Sequence, residues 1–385
     1  MKTFTDLIKE VQEPGLCHHC GGCVTFCTAI NYGALELSPD GMPRYKDKDK
    51  CIECGLCYSI CPVINELDEE TKRLVGWSAP IGRVMKMTAA RAVDEEIRAR
   101  GTDGGVVTAL LLHLLNKGRI DGAIVSKKVG PFQRQPWLAT TREEILEAAG
   151  FNFDTSHGME LFSDVYSTYS PSILQLEQVA KKRLKRVAIV GTPCQINTLR
   201  RMEVLGIVPS DVIKYYLGLF CTGNFSFGED QRRQLEELGN FKWEDVRKIN
   251  LKEQLMIHLH NKEVRYIPLD QLDFMKRHAC LYCDDYSAEY ADLSFGGIGA
   301  EEGWTTVAIR TPIGRAIFAD AKDVTLEEYD FRSNPEYAAQ LMTKALDWSL
   351  QKKKQALEHG EELKKSPAFN PGRKRGVSLD ATSNW

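Results

Sequence analysis

The sequence predicts a mixed α/β (α+β) chain in three parts. A small cysteine-rich unit covers residues 1–66, a mixed-sheet α/β domain covers 76–331, and a C-terminal helix with a polar tail covers 332–385. Three observations predict this. Eight of the 12 cysteines fall before residue 62, in two copies of one spacing. From about Gly76 to Phe331, compact apolar runs alternate with longer stretches of helical periodicity. Beyond about Asn334 the spacing is that of a long helix, followed by polar residues. A chain of 385 residues accommodates two or three domains with cores of their own, and 43% apolar content excludes intrinsic disorder.

Charge and hydropathy exclude further classes. The 50 Lys and Arg are offset by 53 Asp and Glu, which excludes a nucleic-acid binder that works by bulk attraction. The longest strongly apolar stretch, Val106 to Leu115, is far short of the roughly 20 residues of a membrane helix. Met1 to Glu10 lacks the basic start, apolar core and small-residue cleavage site of a secretory signal, so the expected location is the cytoplasm. Reducing cytosol keeps thiols free, and the cysteines therefore point to metal or redox chemistry rather than disulfides.

Cys17, Cys20, Cys23 and Cys27 are spaced C-x2-C-x2-C-x3-C, and Cys51, Cys54, Cys57 and Cys61 repeat the pattern with Pro62 directly after. Three thiolates on a tight loop can take three corners of a cubane, while the fourth turns away along a short helix. Gly21, Gly22 and Gly55 let the loop backbone approach the sulfides. Zinc knuckles are the rival reading, but their ligands usually split into two separated pairs. His18 and His19 read as polar filling. The spacing resembles bacterial two-cluster ferredoxins, although Thr28 stands where that pattern usually has proline. The resemblance implies one 4Fe–4S cluster on Cys17, Cys20, Cys23 and Cys61, and a second on Cys51, Cys54, Cys57 and Cys27.

Asn65 to Arg73, charged and poor in apolar residues, reads as a linker. A helix is predicted over Gly104 to Lys117, stopping at Gly118, and strands over Ile120 to Ser126, Arg186 to Val190, Val212 to Phe220 and Thr305 to Arg310. Thr141 and Glu144 form a capping box before Ile145 to Ala149. Gln254 to His260 and Glu263 to Ile267 read as a hairpin through Asn261 and Lys262, which makes the sheet mixed. A short helix is predicted around Leu269 to Arg277. In the tail, Lys352-Lys353-Lys354 and Arg373-Lys374-Arg375 read as solvated charge or as a docking arm for a partner subunit.

Cys194 follows Val190-Gly191-Thr192-Pro193 at a helix start, where the dipole favours thiolate. Cys221 ends the run from Val212, and both open onto the carboxyl edge of the sheet, where ligands collect. Cys280 and Cys283 form a CxxC. Four cysteines from three segments can assemble a further 4Fe–4S cluster, hold structural zinc, or serve as small buried hydrophobes. Asp103, Gly104, Gly105 and Thr108 lie at another helix start, where free N–H groups can hold a phosphate. Gly297, Gly299, Trp304 and Thr305 lie in a glycine-rich segment that can admit an aromatic cofactor, though tight turns need glycine as well.

Taken together, Asp103-Gly104-Gly105-Val106-Val107-Thr108-Ala109, Gly191-Thr192-Pro193-Cys194-Gln195, Leu219-Phe220-Cys221, the CxxC at Cys280, and Ala291-Asp292-Leu293-Ser294 with its glycine loop resemble the beta subunits of coenzyme F420 hydrogenases and dehydrogenases. Phe295 stands where that glycine loop often has a polar residue. With its ferredoxin-like unit, the chain is most similar to the electron-input subunits of F420H2 dehydrogenases, which serve quinone or methanophenazine. It is also similar to the N-terminal half of F420-dependent sulfite reductase; no siroheme-binding half follows in this sequence.

The resemblance implies FAD, coenzyme F420 as substrate, and a third 4Fe–4S cluster on Cys194, Cys221, Cys280 and Cys283. Asp103, Gly104, Gly105 and Thr108 would contact FAD phosphate or ribose, and Gly297, Gly299, Trp304 and Thr305 would surround the flavin. The implied activity is hydride exchange between F420H2 and FAD, with single electrons relayed through three clusters to other subunits of an electron-transfer complex. A membrane would be reached only indirectly, on its cytoplasmic side, through that complex. Lys181, Lys182, Arg183, Lys185 and Arg186 are candidates for a basic mouth that receives the anionic tail of F420, or for a solvated helix face. Two alternatives remain: a soluble partner (hydrogenase, formate dehydrogenase, heterodisulfide reductase or sulfite reductase), or a flavin-free electron-transfer protein. No residue is singled out as catalytic.

Overall fold

The computed structural model describes residues 1–29, 32–38, 41–130, 133–150, 172–207, 210–225 and 228–364. In the cysteine-rich unit, each cysteine loop runs into a short helix, α1 (Gly22–Ala29) and α2 (Leu56–Ser59), and β1 (Leu35–Leu37) pairs antiparallel with β2 (Pro43–Tyr45). Gly55 starts α2 in the left-handed region, at φ 73°, with the Lys2 carbonyl 2.7 Å from where a Cβ would sit. Only glycine fits there.

The segment read as a linker is instead largely helical: α3 spans Asp68–Val75 and ends on Gly76 at φ 64°. Its acidic first turn and basic last turn complement the helix dipole, and Thr71 and Val75 point inward. A charge-rich composition concealed an amphipathic helix.

The larger unit is built on an eight-stranded sheet. Its strands are β3 (Lys86–Ala92), β4 (Gly122–Gly130), β5 (Gln133–Ala139), β6 (Val187–Gly191), β7 (Ile213–Leu219), β11 (Leu293–Gly296), β12 (Thr305–Ile309) and β13 (Leu326–Glu328), in the order β13-β3-β12-β11-β7-β6-β4-β5. The strands β11, β7, β6 and β4 are mutually parallel, and the flanking pairs are antiparallel. The predicted hairpin lies outside this sheet. β8 (Val246–Leu251), β9 (Gln254–Leu259) and β10 (Val264–Pro268) form a separate antiparallel sheet over a core of Leu235, Phe241, Leu272 and Met275. The mixed character of the main sheet comes from β3, β5, β12 and β13.

β3 escapes sequence reading because its alanines favour helix in isolation. They are small because both faces are covered. Ala90 and Ala92 meet the apolar helix α4 (Val106–Asn116), and Met87 and Ala89 meet Tyr337 and Leu341 of a long C-terminal helix.

Helix α5 (Pro193–Val204) ties the two units together. Arg201, 1% exposed, donates from Nη1 to the Ile64 carbonyl at 2.6 Å and pairs through Nη2 with the Asp68 carboxylate, while Nε donates to Asn197 Oδ1 at 2.8 Å. One apolar core runs from Phe4, Phe26 and Ile60 through Ile196 and Leu199 to Ile189 and Tyr216.

The C-terminal helix α6 (Pro335–Lys364) corrects the reading of the lysine run. Ala345, Ser349 and Ala356 set its inner face, and Lys352 and Lys353 fall on it at 7% and 8% exposure; Lys354 is solvated. Arg373-Lys374-Arg375 lies outside the described residues. Among the described residues, no helix is long and apolar enough to cross a membrane.

Candidate functional site

Cys17, Cys20, Cys23 and Cys61 line one cavity of about 20 Å³, and Cys27, Cys51, Cys54 and Cys57 line another of about 20 Å³. The fourth cysteine of each motif therefore faces the thiols of the other. α1 is the cause, since it carries Cys27 one turn beyond Cys23. Among the described residues, no three His, Cys, Asp or Glu side chains gather closely enough for a single metal ion. Burial lifts Cys20, Cys23 and Cys27 above the ordinary thiol value and pushes Cys57 up to about 12. Such thiols stay protonated until a metal takes their charge.

A third cavity, of about 30 Å³, is lined by Cys194, Cys221, Cys280 and Cys283 together with His18, Cys20, Thr192, Arg277 and Lys352. Cys194 sits in the first turn of α5, Cys221 just beyond β7, and Cys280 in the turn His278–Tyr282. Desolvation outweighs the helix dipole here. Burial pushes the Cys194 thiol well up, raises Cys283, and takes Cys221 to about 12, so the expected thiolate at the helix start does not form unaided. The Asn224 N–H donates to Cys280 Sγ at 3.2 Å.

α6 closes this cavity. Lys352 Nζ donates to the carbonyls of Cys221 at 2.6 Å and Asp285 at 3.0 Å. Desolvation pulls its pKa down, but Cys283, Cys221 and Cys280, once in thiolate form, together with Asp285 hold it above the ordinary lysine value. Next to it, Lys353 pairs with Glu289 at 2.7 Å, and Glu289 also accepts from Trp77 Nε1 at 2.7 Å. The first and third cavities adjoin through α5: Thr198 Oγ1 lies 3.5 Å from Cys20 Sγ and donates to the Cys194 carbonyl at 2.9 Å. Gly22 leaves room for Thr198, whose methyl group would collide with any Cβ there.

A cleft of about 200 Å³ opens at the carboxyl ends of the parallel strands. Its lining includes Ser126 of β4, Gly191 of β6, Leu219 of β7 and Gly296 of β11. Asp103, Gly105, Thr108, Gly297 and Thr305 line it too. Gly105 stands at φ 71° before α4, whose first turn has no side-chain cap. Its N–H groups can meet an anionic group. Gly104 packs behind this edge: its N–H donates to Thr305 Oγ1 at 2.9 Å, and a Cβ would lie 2.7 Å from the Ala90 carbonyl oxygen. Gly104→Ala is expected to cost about 1–3 kcal/mol, read as a lowered denaturant midpoint, because the opposing atom is strand backbone. An unchanged midpoint would show that β3 yields.

Besides Gly104, the structure leaves two further predicted residues out of the cleft lining. Gly299 lies against Leu341 and Lys344 of α6, and Trp304 packs edge-on against Tyr329 with the Arg91 guanidinium 4.5 Å over its ring. Lys185 and Arg186 also lie away from it. They precede β6, at the amino ends of the parallel strands, where the Asp121 carboxylate accepts from both backbone N–H groups and from the Arg186 guanidinium. Conversely, Asn250, Lys252 and Tyr286 line the cleft without having been singled out, and Lys252 pairs with Asp103 at 3.3 Å. Nothing local distinguishes Lys252, which sits in the turn between β8 and β9.

Comparison with known proteins identifies relatives along most of the chain. Residues 184–331 match the C-terminal region, and residues 87–163 the N-terminal region, of the family described as the coenzyme F420 hydrogenase/dehydrogenase beta subunit; residues 9–62 match a 4Fe-4S dicluster domain. The coenzyme F420 hydrogenase beta chain from Methanosarcina barkeri is 31% identical over 247 residues, 63% of this chain and 80% of that protein. One of the F(420)H(2) dehydrogenase subunits from Methanosarcina mazei is 26% identical over 375 residues, 95% of this chain and 97% of that protein. A chain of the F420-reducing NiFe hydrogenase complex from Methanosarcina barkeri superposes with a TM-score of 0.63 at 27% identity, covering 74% of this chain and 94% of that one. The chain belongs to the family of coenzyme F420 hydrogenase and dehydrogenase beta subunits, and carries a 4Fe–4S dicluster domain at its N-terminus.

Proposed function

We propose that the chain oxidises F420H2 at a flavin held in the cleft and passes the electrons outward through three 4Fe–4S clusters to a partner complex. The supporting observation is a run of shared walls. Thr192, Gln195 and Gly223 line both the cleft and the third thiol cavity, and His18 and Cys20 line both the third cavity and the first. FAD, when bound, supplies the conversion from a two-electron hydride to the single electrons that clusters accept.

The residues have separable roles in this reading. Asp103, Gly105 and Thr108 bind the phosphate and ribose side of FAD, with Lys252 balancing the Asp103 charge. Gly297 and Thr305 leave space for the ring system. Cys194, Cys221, Cys280 and Cys283 hold the cluster nearest the cleft, Cys17, Cys20, Cys23 and Cys61 the next, and Cys27, Cys51, Cys54 and Cys57 the outermost. Ile52, 59% exposed, and Glu53 flank that last group and face outward. The match to the Methanosarcina mazei F(420)H(2) dehydrogenase protein over 95% of this chain supports F420H2 as the electron donor; the acceptor proposed, as the sequence resemblance implies, is a membrane quinone or methanophenazine complex.

A cofactor inventory tests the reading. Three clusters require about 12 Fe and the cleft about one FAD per chain; Cys194→Ser or Cys283→Ser should remove about four Fe. About eight Fe in the native protein, with Cys194 open to alkylation, sinks the third cluster. Protein without flavin that fails to bleach oxidised F420 with an artificial donor favours a pure electron carrier. Co-purification identifies the acceptor.

A further inference from the structure

We propose that Lys352 is the built-in counter-charge of the cluster on Cys194, Cys221, Cys280 and Cys283, and that it raises that cluster's reduction potential. The inference rests on the third cluster proposed above. It concerns a residue beyond 331, where the family match ends.

Lys352 and Lys353 are adjacent and both buried, yet they are satisfied differently. Lys353 has the carboxylate of Glu289. Among the described residues Lys352 forms no ion pair; its ammonium donates to two neutral carbonyls, and one of them belongs to Cys221. Burying an ammonium without an ion-pair partner is strongly unfavourable. Facing it across the cavity are four thiols that become thiolates when iron binds, and Asp285 adds a weaker attraction from behind the CxxC. The other charges nearby are Arg277 on the cavity wall, held by the His18 carbonyl, and the carboxylates of Asp284, Asp285 and Glu289 behind the CxxC.

A 4Fe–4S cluster with four thiolate ligands is anionic when oxidised and gains one more negative charge on reduction. A cation pinned at its edge, in a low-dielectric surrounding, favours the reduced state more than the oxidised one. The two carbonyl contacts stop the ammonium from swinging to solvent. Lys352 is therefore a positioning residue: it transfers no electron, and it sets how readily the cluster beside the cleft accepts one.

The test is a redox titration of the full-length, iron-loaded protein followed by electron paramagnetic resonance, with the third cluster identified as the signal lost in Cys194→Ser. Lys352→Gln keeps a donor for the two carbonyls and removes the charge; the midpoint of that one cluster should fall, with iron content unchanged, and Lys352→Arg should return it toward the native value. An unchanged midpoint in Lys352→Gln, or an equal fall in Lys352→Arg, overturns the proposal. Should Lys352→Gln lose about four Fe, full iron in Lys352→Arg supports the charge, and loss in both variants overturns it. Native protein with about eight Fe would instead mark failure of the three-cluster reading, before any variant is compared.

Discussion

Replacing Arg201 with Met is expected to lower unfolding stability by about 2–3 kcal/mol, the scale for leaving buried acceptors without their charged donor, since the Asp68 carboxylate left behind is partly solvated. Methionine fills much of the same space but donates nothing. The Ile64 and Ser59 carbonyls and the Asp68 carboxylate all lose their donor from α5. Because those acceptors lie on the cysteine-rich side and Arg201 on the other, the damage falls on the junction. Denaturant unfolding measures the size, and faster cleavage between residues 62 and 76 in limited proteolysis locates it. A loss below about 1 kcal/mol would mean that water replaces the guanidinium there.

Stripping iron is expected to unfold residues 17–61 while leaving the main sheet intact. Among its described residues this region has two α-helices, one of four residues, a three-residue 3-10 turn and a ribbon of two three-residue strands. Units of that size need a staple. The cavity-lining thiols also belong to its packing, with Cys27 and Cys57 in the same apolar core as Phe26 and Ile60. Amide exchange after chelation should rise across the two cysteine loops, with β6 and β7 still protected. Continued protection of the loops would show that contacts with α5 suffice without metal.

The readability of this chain follows from the range of the interactions involved. The cysteine loops and the capping box at Thr141 are legible because spacing and local chemistry determine them within a few residues. The central strands β6, β7 and β12 are legible because they are buried on both faces and read as apolar runs. β3 was hidden because its alanines answer to helices on either side. α3 was hidden because charged residues cover its solvent face. Lys352 was hidden for the same kind of reason: a lysine triplet looks solvated until a helix turns two of its members toward a core. Trp304 and Gly299 looked like parts of the cleft by proximity in sequence, and the turn after β11 packs them instead against Tyr329 and α6.

The closing of the third cavity by α6 has a consequence for biogenesis. Both cysteine loops of the first two cavities are complete within the first 61 residues, so that unit can begin to fold and acquire iron while the rest is being translated. The third pocket lacks its lid until Lys352 has left the ribosome, several seconds after Cys283 at roughly 5–20 residues per second. Chain order thus staggers the three thiol cavities: the two N-terminal ones have all their cysteines early, and the one beside the cleft is closed last, after every strand of the main sheet has been made.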